Sequence, residues 1–421
     1  MLNRVTPPPF KLIDSLEIQQ PEKVDLGNDC PFYFINKGDQ HVINLELVFE
    51  AGKWQEKSPG LSFFTAKMLK RGTTRYSSAA INEYFEQYGA FTEFSSGNDR
   101  LSLTVYVLNE HLENILALLV HLITDSVFSQ EELEKEKKIQ LSNLQVNLKK
   151  TSFLADRLFK ERLFGADYPY GYNIQESDID ALERAALFDF LKGNIKGAPF
   201  VVIASGVVSS RECDMIQKYL GSVEVNDEVK SASHKFVSDF TPVYQELDEA
   251  VQTSIRIGSH MPGRNHPDVH KISVVNEILG GYFGSRLMKN LREEKGYTYG
   301  VYSRIVHMGH QSYLNIGADV IKESREDAIA EVFREMENLS ENGIEEDELA
   351  LVKNFMIGSF LTSIDSPFAL ASLFKLLYFN GLSYDFFSEK VKAIKNISAG
   401  DVKQVASQYF AHDGLLEISV G

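Results

Sequence analysis

Cysteine is scarce in this chain of 421 residues: Cys30 and Cys213 are the only two. Two thiols exclude a disulfide framework and a thiolate zinc cluster, and neither has a histidine near it in sequence, so a reducing compartment fits. Long apolar runs are also missing. No stretch reaches the roughly eighteen uncharged apolar residues of a membrane span. The amino-terminal MLNRVTPPPFKLIDSLEIQQPEK has no signal-peptide core, and Pro7–Pro9 would break a helix there. A cytoplasmic location is therefore expected. Basic excess is absent too: the net charge is −16, which argues against a nucleic-acid surface or docking to anionic membranes. There is no GxSxG elbow and no phosphate-binding Walker loop.

What is present is an ordinary globular composition, 43% hydrophobic and 24% charged, at a length that predicts two or three domains. Strand-like and helix-like segments mix without strict βαβ alternation, so the expected class is α+β. Landmarks repeat: Glu132–Leu133 with Glu348–Leu349, Leu182 with Ile397, and Gly206 with Gly421, at an offset of 215 or 216 residues. That offset predicts a duplicated domain rather than a solenoid unit. The expected organisation is an N-terminal domain over 1–222, a polar linker over 223–242 and a C-terminal domain over 243–421, each an antiparallel-rich sheet covered by helices.

The stretch Gly280–Ser303, GGYFGSRLMKNLREEKGYTYGVYS, is the richest in chemistry. Leu279, Phe283, Leu287 and Leu291 predict one apolar helix face, with Arg286, Lys289 and Arg292 towards its end and Gly296 stopping it. The following alternation predicts a strand with Tyr297, Tyr299 and Val301 on one face and Thr298 and Gly300 on the other. A helix end beside a strand can bring the Arg292 guanidinium and the Tyr299 phenol to one site, where both donate hydrogen bonds to a carbonyl or a developing oxyanion. Taken alone, the two residues fit better an Arg on a solvated helix face and a Tyr packed in a sheet, both of which are ordinary.

Together with FEAGKWQEKSPGLSFFTAKMLKRGTTRYSSAAINEYFEQYGAF in the first half, the run LGGYFGSRLMKNLREEKGYTYGVYS resembles the pitrilysin/insulinase-like zinc metallopeptidase family, which includes mitochondrial processing peptidase. The resemblance covers nearly the whole chain and implies two duplicated α+β domains forming half of a clam-shell. In active members a helix carries HxxEH, whose histidines bind zinc and whose glutamate activates water. Here Phe63, Phe64, Thr65, Ala66 and Lys67 stand at those positions, and the family's third ligand, a glutamate on a later helix, matches Asn143. Zinc is not expected in this chain, and Lys67 would repel a dication directly. Phe63 and Phe64 are expected to fill the vacated volume as core residues. The acids of the later helix, Glu131, Glu132, Glu134 and Glu136, are expected on a solvated face.

Arg292 and Tyr299 match the arginine and tyrosine that, in the family, reach the substrate near the scissile carbonyl. The resemblance thus implies the non-catalytic subunit of a heterodimeric zinc endopeptidase, with no independent peptidase activity. Zinc would sit on a related HxxEH-bearing partner, and the substrates would be unfolded or extended peptides. Such peptides would be added to a sheet edge near Phe91, Thr92, Glu93, Phe94 and Ser95. A scaffold or peptide-holding protein of the same fold, with no proteolytic role, is the alternative. Three other constellations carry less: His266 and His270 at i, i+4 at a helix entrance; His307 and His310 at a hairpin turn; and Gly280–Gly284, which reads as close backbone packing rather than a dinucleotide loop.

Overall fold

The computed structural model describes residues 17–225, 233–411 and 414–421. Its frame is two sheets. The first contains β1 (Glu22–Asp25), β2 (Pro31–Asn36), β3 (Val42–Phe49), β4 (Phe91–Ser96), β5 (Leu101–Leu108) and β6 (Phe200–Gly206), ordered β1-β2-β6-β3-β5-β4. The second contains β7 (Val243–Gln245), β8 (Gln252–Gly258), β9 (Thr298–His307), β10 (Ser312–Ile321) and β11 (Leu416–Val420), ordered β7-β11-β8-β10-β9. The sub-order β6-β3-β5-β4 recurs as β11-β8-β10-β9, and every pairing within both runs is antiparallel. The class is α+β, with one half of the chain repeating the other.

Alternation decides which side of each sheet is dry. In β5, Leu101, Leu103, Val105 and Val107 are buried while the residues between them are partly open. They face a core closed by the helices Leu61–Met68, Ser78–Gln87, Leu112–Thr124 and Arg184–Asn194. The second sheet has an equivalent core under Val269–Asn276, Arg325–Asn342 and Ala399–Tyr409. The other face of each sheet is covered by a helix from the opposite half. Thr151–Phe164 packs on β8 and β11, where Asp156 accepts from Arg256 at 2.6 Å and the Ser254 hydroxyl donates to Thr151 at 2.8 Å. Reciprocally, Pro367–Phe379 packs on β2 and β6, with Phe374 against Tyr33 and Lys375 donating to both carboxylate oxygens of Glu46 at 2.8 Å. This exchange ties the halves together.

A second tie joins the two hairpin tips. The β9–β10 turn docks on the β4–β5 turn: Gly309 N–H donates to Asp99 at 3.0 Å, the Tyr170 hydroxyl donates to Asp99, and His310 N–H donates to that hydroxyl at 3.2 Å. The described part of the linker is also anchored, with Ser238 donating to Leu163 and Arg162 paired to Asp239.

Several local expectations change. The sequence of Ser58–Leu69, with Ser58 as a candidate cap and Pro59 in the first turn, predicts a helix, but it begins only at Leu61, because Gly60, at φ 86°, forms its left-handed N-cap. Ile179–Asn194, whose residue pattern predicts a single helix, falls in two, Glu176–Asp180 and Arg184–Asn194. The longest departure is in Pro267–Asn290, whose residue pattern, including Leu279, Phe283 and Leu287, predicts one continuous helix. Val269–Asn276 runs into a π-helical turn, Glu277–Gly281; the chain breaks at Tyr282–Ser285; a second π-helical segment, Met288–Glu294, comes after it. Phe283 falls in the break and is 64% exposed, so it is not on the apolar face.

Candidate functional site

The Arg/Tyr stretch is built by two irregularities. Gly280 permits the first π turn to lie on β9, since a Cβ there would stand 2.7 Å from the Ser303 backbone nitrogen. Below it, buried Asn276 donates to the Ser303 carbonyl at 3.0 Å and accepts from the Ser303 hydroxyl at 2.7 Å. The reading of Gly280–Gly284 as close packing therefore holds at Gly280. After the break, Arg286 makes a two-pronged pair with Glu348 at 3.1 and 2.9 Å and donates to the Gly343 carbonyl at 3.0 Å, which commits its guanidinium to structure. Arg292, six residues on, lies in the second π segment. Among the described residues it has no ion-pair partner; its guanidinium stacks 4.6 Å from the Phe283 ring centroid. Single π turns are frequent at functional sites, because the extra residue re-aims the side chains beyond it.

Gly296, at φ 67°, turns the chain into β9, and Tyr297 N–H bonds back to the Leu291 carbonyl at 2.9 Å. The second irregularity comes next. Val301 pairs with Ala318 and Thr298 with Val320, so Tyr299 and Gly300 together oppose Asp319 in a β-bulge. The Thr298 hydroxyl pins it, donating to the Asp319 carbonyl at 2.7 Å and accepting from Gly300 N–H at 3.1 Å. The bulge overturns the expected alternation: Thr298 and Val301 are buried, and Tyr299 is 92% exposed rather than sharing the buried face of Val301. A regular strand would put Thr298 and Val301 on opposite faces.

The degenerate zinc positions line two adjoining cavities on either side of Gln140. Phe63 and Asn143 border one of about 270 Å³, with Lys53, Glu56, Phe153 and Tyr172. Ala66 and Lys67 border the other, of about 400 Å³, with Lys70, Arg71 and β4 residues Thr92 to Phe94. The expectation that both phenylalanines fill the vacated volume holds for Phe64, which is fully buried, and fails for Phe63. Phe63 is 36% exposed and turns its ring to the Lys67 ammonium, 5.4 Å away, leaving the first cavity open. Glu56, which no sequence motif marks, accepts N–H bonds from Gly60 and Ser62 at the start of the Leu61–Met68 helix. Burial pushes its carboxyl up to about 7, against the pull of those N–H groups and of Lys53.

Zinc does not fit here. The two histidine positions and the third-ligand position offer a phenyl ring, an ammonium and an amide, Ala66 stands in place of the water-activating glutamate, and among the described residues no three His, Cys, Asp or Glu are placed to hold a metal. Glu136 is a correction of a different kind: expected on a solvated face, it is 2% exposed and accepts from Arg71 at 2.6 Å and Gln140 at 2.7 Å. The helix packs at that turn, and a charge run hides which of its members points inward.

The remaining constellations separate. His266 precedes the helix that starts at Val269 and packs on Tyr409, whereas His270 is buried against Phe386, not solvated; burial, then the Lys390 charge, lowers it to about 4. His307 ends β9 and bonds to Ser312 at 2.7 Å, and His310 stacks on Trp54. The expected docking strand, Phe91–Ser96, is an edge strand: β5 is its only sheet neighbour among the described residues.

Comparison with known proteins covers both halves. The family model described as Insulinase (Peptidase family M16) matches residues 33–165, and the one described as Peptidase M16 inactive domain matches 181–356. An uncharacterized zinc protease of Bacillus subtilis (strain 168) is 25% identical over 316 residues, 73% of this chain and 75% of its own. Core protein I of the mitochondrial ubiquinol-cytochrome-c reductase complex of Euglena gracilis is 23% identical over 253 residues, 58% of this chain and 50% of its own. Among solved structures, a peptidase M16 inactive domain from Pseudomonas fluorescens superposes with a TM-score of 0.85 at 22% identity, over 96% of this chain and 98% of that one. A protease from Helicobacter pylori gives 0.86 at 16% identity, over 96% and 99%. With M16 models matching residues 33–165 and 181–356 and none of the HxxEH residues in place, this chain belongs to the insulinase-like M16 peptidase family as a member without the zinc site.

Proposed function

We propose that this chain is the non-catalytic, substrate-binding subunit of a two-chain zinc endopeptidase acting on extended peptides. The observation that carries the reading is the contrast within one stretch: Arg286 is committed to Glu348, while Arg292 has no carboxylate among the described residues and a bulge turns Tyr299 outward. Outward donors without internal partners suit a ligand carbonyl, to which a guanidinium and a phenol each donate a hydrogen bond. In this reading zinc belongs to a related chain with intact HxxEH. The unpaired edge of β4 takes the peptide backbone, so that affinity comes largely from main-chain hydrogen bonds.

The test is cleavage of an unstructured peptide by this chain, by the HxxEH relative from the same source, and by the mixture, with zinc measured in each. Activity confined to the mixture, and reduced about a hundred-fold or more by Arg292→Ala or Tyr299→Phe, supports the shared site. A stable complex with a zinc-loaded partner and no cleavage supports the other reading, a scaffold, which the similarity to a respiratory-complex core protein favours.

A further inference from the structure

The second cavity beside the degenerate zinc helix carries charge that the missing metal does not explain. Lys67, Lys70 and Arg71 all line it, together with Thr92 and Phe94 of β4. Arg71 is neutralised by Glu136, whose second oxygen is taken by Gln140. The two lysines have no carboxylate partner among the described residues: Lys67 lies over the Phe63 ring, and Lys70 donates to the Thr92 hydroxyl at 3.2 Å and lies over the Phe94 ring. Glu93, the remaining acid on the wall, is exposed on the strand. Burial, then the neighbouring Lys67 and Arg71 charges, lowers the Lys70 ammonium, with no acid raising it. In a chain of net charge −16, two half-buried ammonium groups in one cavity are an unbalanced feature.

Their placement relative to β4 gives the geometry of a ligand. Thr92 and Phe94 oppose Val105 and Leu103, on the sheet face covered by the Leu61–Met68 helix, whereas Phe91, Glu93 and Ser95 point to the other face. A strand added to the β4 edge alternates in the same way, so its every second side chain points to the face of the cavity, and one of them, level with Thr92 to Phe94, meets the lysines.

We propose that this cavity is a carboxylate subsite: it receives a Glu or Asp side chain of a peptide paired to the β4 edge, held between the Lys67 and Lys70 ammonium groups. The position that holds a dication in active relatives thereby becomes a reader of peptide charge. This rests on the proposed docking of peptides to that edge, but not on cleavage or on a partner. The overall charge of the protein works in the opposite sense, since a −16 surface attracts basic peptides. A preference for acidic ones therefore has to be local.

The experiment measures binding to the full chain alone, by fluorescence anisotropy, of a dye-labelled unstructured peptide with spaced glutamates and of its glutamine and lysine counterparts. All three are blocked at both ends so that side chains supply the only carboxylates. The glutamate peptide is expected to bind about tenfold or more tighter than the glutamine one. That ratio should fall to near one in Lys67→Gln/Lys70→Gln, with binding of the glutamine peptide unchanged, and should survive in Lys70→Arg. Lys67→Gln alone, which removes no hydrogen bond, should lower it if the double variant folds poorly. A ratio near one in the unaltered chain, a ratio that persists in the double variant, or no binding of the glutamate peptide overturns the proposal. Arg292→Ala separates the two readings: it should lower cleavage in the mixture about a hundred-fold or more and leave the ratio intact.

Discussion

The His310 imidazole lies flat on the Trp54 indole, with 3.7 Å between ring centroids and 18° between planes. One residue comes from the turn of the second sheet's outer hairpin, the other from the first half, so this stack, with Asp99 and Tyr170 beside it, is a joint between the two repeats. Trp54 is the sole tryptophan. Its emission therefore reports on the joint, and His310→Ala should change that emission and lower stability by about 1 kcal/mol, read as a drop in melting temperature. Unchanged emission would mean the stack does not persist in solution.

Asp99 holds the same joint by hydrogen bonds. Asp99→Ala removes the acceptor for both Gly309 N–H and the Tyr170 hydroxyl and should cost about 1–3 kcal/mol in denaturant unfolding. Exchange of the Gly309 amide with solvent should accelerate with it.

The bulge separates positioning from contact. Tyr299→Phe should leave the melting temperature within experimental error, because the side chain is exposed and substitutions at such sites stay within about 0.5 kcal/mol. Thr298→Val should cost about 1 kcal/mol, by removing the hydroxyl that pins Asp319 and Gly300. It should also lower cleavage by the mixture, through misplacement of an intact phenol. Full activity of Thr298→Val would argue against a role for the bulge.

Arg71, whose side chain is 32% exposed, pairs with the buried Glu136 under the second cavity. Arg71→Met leaves the Glu136 carboxylate, among the described residues, with only Gln140 as donor, and should cost about 2 kcal/mol at neutral pH. Glu136→Gln in the same chain should recover much of that loss, because the uncompensated charge is then gone. Thermal unfolding of the single and double variants checks both.

His270 makes stability depend on acid. Its folded-state value of about 4 lies below the ordinary imidazole value of 6.5, so the unfolded chain takes up the proton first. The stability tied to the neutral ring is complete above pH 6.5 and is lost as pH falls towards 4. Around it, Lys390 opposes protonation and the Phe386 ring excludes water, while Glu277 faces Lys390. The loss for this one group is on the order of 2–3 kcal/mol. His270→Gln should flatten part of the decline measured by denaturant unfolding between about pH 7 and 4. His307, also lowered to about 4 by burial and then Arg264, and His260, lowered by burial, contribute to the decline in the same sense.

Much of the fold could be read from the chain because it rests on local pattern. The alternation of Leu101–Val107, the Ser77 cap and the turn residues Gly97–Asp99 each have one good local solution, and the structure adopts it. Phe63 and Glu136 resisted such reading. Their exposure depends on which turn of the helix meets its neighbours, and a mixed apolar and charged run is compatible with more than one rotation.

The duplicated layout, the family and the loss of the zinc ligands are written in the order of residues, since each depends on which residue stands at which spacing. The availability of Arg292 and Tyr299 belongs instead to the folded chain. A π turn and a β-bulge depend on the residues opposite: Ser303 against Gly280, and Asp319 against two residues of β9. A strand read alone has period two, and only its partner strand can insert the extra residue that turns a phenol from the core to solvent.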